Sequence, residues 1–287
     1  MEVLVVVSLL SLIVLALMNV FNATQQAFRA SVTQTDVLEG SRATVEMMTS
    51  DLRQLSPSGG ISNVVGTTVK GAVNFFSSAN YNNYLPLTQS LPGSFIQRTN
   101  LLNWFFVLSR QNTKWVGVGY VVDNTNSSLL YPLYRYYRND LSVRSDPLFL
   151  FQDFTSIVYG SQWTNANVSH VMDGVVHLVV RGFDTNGTWI NNNRFPPYTN
   201  AQNVLFFPPA WGESQCYFFS NTVPAAVELQ LGVLEDRILA RAESLPNNLP
   251  ALPPNDRRSL YLNGVSGNVH LFRQRVTIQN VDPAAYQ

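Results

Sequence analysis

The sequence predicts an α+β protein in which a long N-terminal helix packs on a β-rich, mostly antiparallel globular domain. Three observations support this fold class. The first 28 residues contain one long, mostly apolar run without a charge, the following segment carries hydrophobic residues at helical spacing, and the remaining chain alternates β-branched and aromatic segments with turn-forming ones. These observations divide the chain into a transmembrane helix (1–28), an amphipathic helix (29–55) and a globular domain (56–287).

The apolar run extends without a charge from Val3 to Phe28, with Glu2 before it and Arg29 after it. A bilayer core about 30 Å thick is spanned by about 20 apolar residues in a helix, so this segment is long enough to cross a membrane. Three alternatives remain: a cleavable secretion signal with a weak site at Asn22-Ala23, a generic uncleaved anchor, and a buried core helix. We predict instead a permanent membrane anchor that also has a function of its own.

Glu2 gives this anchor a candidate function. A carboxylate at the edge of an apolar helix is costly to bury unless it finds a partner, so an intramembrane acid indicates a functional site. The alternative is that Glu2 lies among the lipid headgroups at little cost.

The sequence of residues 29–55 predicts a helix with a hydrophobic stripe on its surface. The stripe consists of two adjacent rows of residues. The rows are Leu38, Val45 and Leu52, and beside them Ser41, Met48 and Leu55. We predict that the apolar members Leu38, Val45, Met48, Leu52 and Leu55 pack against the sheet. Arg42, Glu46 and Arg53 lie off the stripe and form a solvated face, where Glu46 can pair with either arginine. Pro57 and the glycines after it end the helix.

In the globular domain, the sequence predicts strands separated by polar loops. The predicted strands are Trp104–Leu108, Trp115–Val122, Leu130–Arg138, Phe149–Val158, His177–Phe183, Val204–Phe207, Val227–Leu231 and His270–Ile278. The first two form a hairpin, and the second places Val116, Val118 and Tyr120 on one face and two glycines on the other. Asn191–Asn200 and Pro246–Asp256 are predicted loops.

Charge and cysteine content argue against several classes of partner. Charged residues make up 13% of the chain and sum to zero, without a clustered basic stripe, so we predict no nucleic-acid partner. Cys216 is the only cysteine, which excludes an internal disulfide and a multi-cysteine metal site. Its aromatic neighbours indicate an unreactive buried thiol. We predict no metal and no cofactor.

No catalytic residue is predicted, and we expect that the protein is not an enzyme. The three histidines, His170, His177 and His270, lack metal-ligand spacing, and His177 lies in an apolar strand typical of a core histidine. A Gly-x-Ser-x-Gly turn, a phosphate-binding glycine loop and a Cys-His pair are absent from the sequence. Asp153, Asp173 and Asp184 would act as paired carboxylates only if the fold brought two of them together.

The start of the chain resembles type IV pilin-like proteins, whose processed chains begin Phe-Thr-Leu-x-Glu and continue into an apolar helix. The matching residues here are Met1, Glu2, Val3, Leu4, Val5, Val6 and Val7, with Met1 at the variable position. Phe-Thr-Leu and the short basic leader of that family are missing, and no Lys or Arg precedes the anchor.

We expect that the start lies upstream of Met1. The in-frame DNA before Met1 should then encode a few basic residues, a Gly, and Phe-Thr-Leu or a close variant. Sequencing the locus checks this expectation, and a stop codon immediately upstream would contradict it.

Three segments of the globular domain narrow the resemblance to J-type minor pseudopilins of type II secretion and the related W-type minor pilins. Val171–Asp184 with Gly187-Thr188-Trp189 resembles their strand and Asp-x-x-Gly-x-Trp turn. Val223–Leu229 resembles the Leu-Pro-x-Ala-Val strand that follows, and Arg273–Asn280 is similar to their basic, Asn-ended C-terminal segment. The order and placement of the three segments also match.

The resemblance implies a minor subunit at the tip of a periplasmic pseudopilus, or one that primes a longer pilus. Glu2 would pair with the amino terminus of a neighbouring subunit, and Val3–Leu17 would supply adhesion. The expected partners are other pseudopilin or pilin subunits, an inner-membrane assembly platform, and a prepilin peptidase if an upstream leader exists. The chain would cross the inner membrane once, with its C-terminal domain in the periplasm.

Two other classes remain open. A membrane-anchored adhesin or carbohydrate-binding module would use exposed aromatic side chains, although Trp104, Trp115 and Trp189 lie in or beside predicted strands, where core packing is more common. A membrane-anchored hydrolase is less favoured.

Overall fold

A computed structural model describes most of the chain. The described residues are 2–59, 63–65, 68–79, 87–90, 93, 97–123, 130–191, 203–210, 213–245 and 257–281. Helix α1 (Glu2–Arg53) is one continuous helix of 52 residues, about 78 Å long at 1.5 Å per residue. Three residues after its end, the N–H of Ser56 donates to the carbonyl of Leu108 at 3.0 Å.

Three further helices and fourteen strands are described after α1. The helices are α2 (Leu148–Tyr159), α3 (Asp236–Ser244) and α4 (Arg257–Asn263), and a short 3₁₀ turn covers Ser266–Asn268. The strands are β1 (Asn63–Val65), β2 (Thr68–Lys70), β3 (Val73–Ala79), β4 (Leu87–Ser90), β5 (Gln97–Asn100), β6 (Asn103–Gln111), β7 (Lys114–Val122), β8 (Leu133–Ser142), β9 (Val168–Met172), β10 (Val175–Phe183), β11 (Val204–Ala210), β12 (Glu213–Phe219), β13 (Ala226–Leu234) and β14 (Val269–Thr277).

The strands form two main sheets in which all paired neighbours are antiparallel. A seven-stranded sheet has the order β11-β12-β3-β6-β7-β8-β9, and a three-stranded sheet has the order β10-β13-β14. The pairs β1-β2 and β4-β5 are separate small ribbons. The predicted α+β fold class, with a long N-terminal helix and a mostly antiparallel domain, is confirmed.

Two hydrophobic cores cover the two faces of the seven-stranded sheet. The main core joins α1 and the three-stranded sheet to one face, with Phe105, Val118 and Leu229 among its members. The second core joins α2 to the opposite face through Phe106, Tyr136 and others. The second half of α1 is therefore built into the domain, because it covers one side of the larger sheet.

The predicted strand Phe149–Val158 is wrong, since these residues belong to helix α2. The buried side chains of α2 are Leu150, Phe151, Phe154, Ile157 and Val158. Their spacing of three, four and seven residues is that of a helix, and Pro147 at its start suits a helix N-terminus. The β-branched and aromatic composition favoured a strand, but the period of the buried positions decides the structure.

The alternation predicted for β7 is confirmed. Val116, Val118 and Tyr120 lie in the main core, whereas Gly117 and Gly119 face α2. A Cβ atom on Gly119 would overlap the ring of Phe154. The absence of side chains at these two positions lets α2 lie close against the sheet.

Several of the described elements were not predicted from the sequence. Strands β3, β9 and β12 and helices α3 and α4 belong to this group. The predicted loop Asn191–Asn200 lies outside the described residues except for Asn191, and Pro246–Asp256 lies entirely outside them.

Replacing Gly119 with Ala should destabilise the protein by about 1–3 kcal/mol, because the added methyl group forces Phe154 and α2 away from the sheet. Urea unfolding of the detergent-solubilised full chain measures this change. Gly40→Ala is the matched control, since nothing lies within 4 Å of its Cβ position on the exposed side of α1. It should be neutral or stabilising by up to about 1 kcal/mol. Equal effects of the two changes would contradict the packing of α2.

Candidate assembly surface on helix α1

The first part of α1 projects from the domain with its apolar side chains uncovered. Val3 is 77% exposed, Leu12 69% and Phe28 70%. The segment Val6–Gln25 has a mean hydropathy of 2.2 and none of it is buried within the protein. Its length and composition are sufficient to span a membrane.

The residues predicted to drive assembly lie at the free end of this projection. Val3, Val6 and Val7 are exposed. The side chains of Glu2, Leu4 and Val5 lie outside the described residues, so the pairing of Glu2 stays a prediction.

The second part of α1 is fixed to the domain. Val45, Met48, Leu52 and Leu55 are buried in the main core, and Ser41 is buried beside them. Leu38 is only half-buried, while its neighbour Val37 belongs to the core. A straight helix drifts by about 20° per heptad against a strict seven-residue repeat. Leu38, two heptads before Leu52, therefore lies at the edge of the contact.

Three charged residues of α1 lie in a groove between the helix and strand β14. Arg42, Glu46 and Arg53 line a pocket of about 330 Å³ together with Phe272 and Gln274 of β14. Glu46 is exposed, and among the residues that the structure describes it makes no ion pair with either arginine. The predicted pairing of Glu46 is therefore not formed.

An ion pair that the sequence did not reveal joins α1 to the seven-stranded sheet. The Asp51 carboxylate accepts from Nε and Nη2 of Arg135, each at 3.0 Å, and from the Tyr120 hydroxyl at 2.5 Å. The Asp51 and Arg135 side chains are 11% and 19% exposed. A two-point pair of this kind fixes orientation as well as distance.

The electrostatics of this group follow from its burial. Burial raises the pKa of Tyr120 far above its usual value, and the neighbouring Asp51 charge raises it further. Burial alone would lower the pKa of Arg135, but its hydrogen bonds to Asp51 and the adjacent Tyr120 raise it overall. Arg135 therefore remains charged at any physiological pH, and the Asp51 carboxylate balances its charge.

The three segments that carry the family resemblance come together in one place. Val171–Asp184, Val223–Leu229 and Arg273–Asn280 contribute to β10, β13 and β14, which are neighbours in the three-stranded sheet. Helix α1 contacts β13 and β14 of this sheet. The side-chain amide of Asn280 donates to the carbonyl of Leu55 at 3.1 Å. The segments therefore support the end of the helix.

The turn after β10 is stabilised by Asp184. Its carboxylate accepts from the backbone N–H groups of Asn186 at 3.0 Å and Thr188 at 2.7 Å. Gly187 has φ of +76°, which glycine adopts without strain. The chain then returns so that Trp189 pairs with Phe183, and the Arg181 guanidinium lies 4.7 Å from the centre of the Trp189 ring. The aspartate is thus a turn residue.

The other two candidate carboxylates are also engaged locally. Asp153 accepts from the Tyr136 hydroxyl at 2.8 Å and from Arg138 at 2.9 Å, and Asp173 lies 2.9 Å from Nε2 of His170. Among the described residues, no group of three or more His, Cys, Asp or Glu side chains is placed to bind a metal ion. We assign no catalytic role to these residues.

Cys216 and His177 are core residues, as predicted. Burial raises the pKa of the Cys216 thiol to about 12. Burial, with a smaller effect from Arg98, lowers the pKa of His177 to about 4. Nδ1 of His177 accepts from the N–H of Leu101 at 3.3 Å, which fits a neutral ring. Both side chains serve packing.

The tryptophans named for a binding platform are not openly exposed. Trp104 and Trp115 are buried, and Trp189 is half-buried beneath Arg181. Their predicted core packing is confirmed for the first two. These three side chains therefore do not supply an open stacking surface for a sugar.

Replacing Asp51 with Asn should destabilise the protein by about 3 kcal/mol, because Arg135 is left largely buried without its counter-charge. Urea unfolding of the full chain in detergent measures the loss. Glu46→Gln, an exposed change on the same helix, should stay within about 0.5 kcal/mol of the unchanged protein. An unchanged stability for Asp51→Asn would show that the pair does not hold the helix.

The stability of the domain should fall as the pH drops from 6.5 towards 4. The unfolded chain protonates His177 near pH 6.5, whereas the folded chain does so only near pH 4, so acid favours unfolding in this window. The slope from this residue is at most about 1.4 kcal/mol per pH unit. Comparing unfolding of the unchanged protein with His177→Gln isolates the effect, and parallel pH profiles for the two would contradict it.

Comparisons of the chain with protein family models, with curated proteins and with solved structures find no match. Our conclusions about the fold and the exposed helix therefore rest on the structure of this chain alone.

Proposed function

We propose that the protein is a minor pseudopilin-like subunit, which assembles at the tip of a periplasmic pseudopilus or type IV pilus or primes its growth for protein secretion. One observation carries the proposal. Helix α1 is continuous, with one half fixed in the domain and the other half uncovered and apolar. Such a helix has a free surface that can pack against the same surface of other subunits.

The physical driving force arises when the helix leaves the lipid. Within a bilayer the exposed Val, Leu and Ile side chains of α1 are solvated by acyl chains, so burying them against another helix gains little. In an aqueous compartment each such side chain is worth about 1.5–3 kcal/mol when fully buried. A helix extracted from the membrane is therefore stable only where neighbouring helices cover it. This makes a filament core the natural destination of α1.

Glu2 supplies register in this scheme. In the low dielectric of a helix bundle, a carboxylate is stabilised only beside a positive group, such as the amino terminus of a neighbouring subunit. A subunit displaced along the axis would leave Glu2 unpaired, and this cost selects one axial position.

The dimensions of α1 set the distance between membrane and domain. Val6–Gln25 extends for about 30 Å, and the residues from 26 to 36 add about 16 Å before the core begins at Val37. In our proposal the helix crosses the inner membrane once and holds the domain in the periplasm. Its partners are other pilin-like subunits and the inner-membrane assembly platform, together with a prepilin peptidase if a leader is encoded upstream.

Replacing Glu2 with Ala should leave the protein in the membrane but reduce its incorporation into sheared filaments at least about tenfold, because an ion pair in an apolar surround is lost. Immunoblots of the membrane and filament fractions measure both quantities. Glu39→Ala is the control, since Glu39 is an exposed acid on the same helix but beyond the apolar run. Normal incorporation of Glu2→Ala would contradict the role of Glu2 in register.

A further inference from the structure

The uncovered half of α1 carries a polar seam along an otherwise apolar surface. At about 100° per residue, four of the six polar positions within Val6–Gln25 fall in an arc of about 80°. They are Ser8, Ser11, Asn19 and Asn22, and all four are exposed. The opposite side of the helix presents Leu10, Leu17, Phe21 and Phe28. Thr24 also lies on that side, but its hydroxyl is bonded within the helix. The side opposite the seam is therefore the one better suited to lipid.

The polar residues of the span differ in their need for a partner. The Ser11 hydroxyl donates to the carbonyl of Ser8 and the Thr24 hydroxyl to that of Val20, each at 2.8 Å. These hydroxyls are satisfied within the helix. The amides of Asn19 and Asn22 have no hydrogen-bond partner in the part of the chain that the structure describes.

Asn19 has the greater need for a hydrogen-bond partner, because it lies deeper in the span than Asn22. It lies six residues, or about 9 Å, before the end of the span at Gln25, which is farther than an Asn side chain reaches. Asn22 lies about 4.5 Å from that end and reaches the interface more readily. An amide held in hydrocarbon without a hydrogen bond is costly, so Asn19 requires a partner at its own depth.

We propose that the polar seam is a self-association surface, on which the α1 helices of two copies of this chain run parallel in the membrane. A carboxamide carries both donors and an acceptor, so two Asn19 side chains that face each other satisfy one another across a two-fold axis. Copies inserted in the same direction bring Asn19 to the same depth. Ser8 and Ser11 are small and allow the two backbones to approach closely.

The proposal goes beyond the filament role and does not depend on it. It requires only that α1 spans a membrane. A dimer of this kind would hold two subunits in the bilayer with their domains on the same side.

Cysteine cross-linking of the full chain in bacterial membranes tests the seam. Leu15→Cys places a thiol within the seam and Leu17→Cys places one on the opposite side, and both leucines are 63% exposed. Cys216 does not interfere, because it is buried. Two differently tagged copies are expressed together, treated with a mild oxidant, captured by one tag and detected by the other.

We expect Leu15→Cys to give a mixed-tag dimer at least about tenfold faster than Leu17→Cys. Adding Asn19→Val to the Leu15→Cys variant should weaken association about 3- to 30-fold, which is the usual effect of an interhelical hydrogen bond in a membrane. Adding Asn19→Gln instead keeps the amide and should retain most of the association. Equal rates at the two cysteines, no effect of Asn19→Val, or monomers only would each overturn the proposal. None of these outcomes bears on the Glu2→Ala filament measurement, so the two proposals fail separately.

Discussion

The ion pair between Asp51 and Arg135 is the contact on which the direction of α1 depends. It joins the last turns of the helix to the seven-stranded sheet at two points, and the Tyr120 hydroxyl completes it. Hydrophobic burial of Met48 and Leu52 supplies most of the stabilisation but little directionality. Because one end of α1 is held in this way, the uncovered half projects from the domain along a defined line.

The rest of the domain supports that contact from both sides. The three-stranded sheet packs beside the helix, and Asn280, just after its last strand, bonds the carbonyl of Leu55. Helix α2 covers the opposite face of the larger sheet above Gly117 and Gly119. In our proposal, the function of the protein follows from how its domain holds the exposed helix. A rigid domain carries an apolar helix that other helices can cover, and its polar groups, Glu2 by our proposal and Asn19 by our inference, determine which neighbours fit.

Much of this architecture could be predicted from the sequence. The uncharged run and the stripe around Met48 are local patterns, as is the alternation of Val116 and Gly117, and each needs only helix or strand geometry to interpret. The helical nature of α2 was missed because its composition favours strands. The partner of Asp51 could not be found, since Arg135 lies 84 residues away and only the assembled sheet brings them together. The partner of Glu2 could not be found from this sequence either, because the proposed partner belongs to another subunit.

The most direct test of the account is thiol accessibility along α1 in intact membranes, with single cysteines placed from Val6 to Val37 and labelled by a membrane-impermeant maleimide. Cys216 stays silent, because burial raises the pKa of its thiol to about 12. If α1 spans the membrane, we expect protection over Val6–Gln25, labelling from Ala27 to Asp36, and renewed protection at Val37. Labelling throughout the apolar run, or recovery of a soluble product that lacks it, would contradict the account.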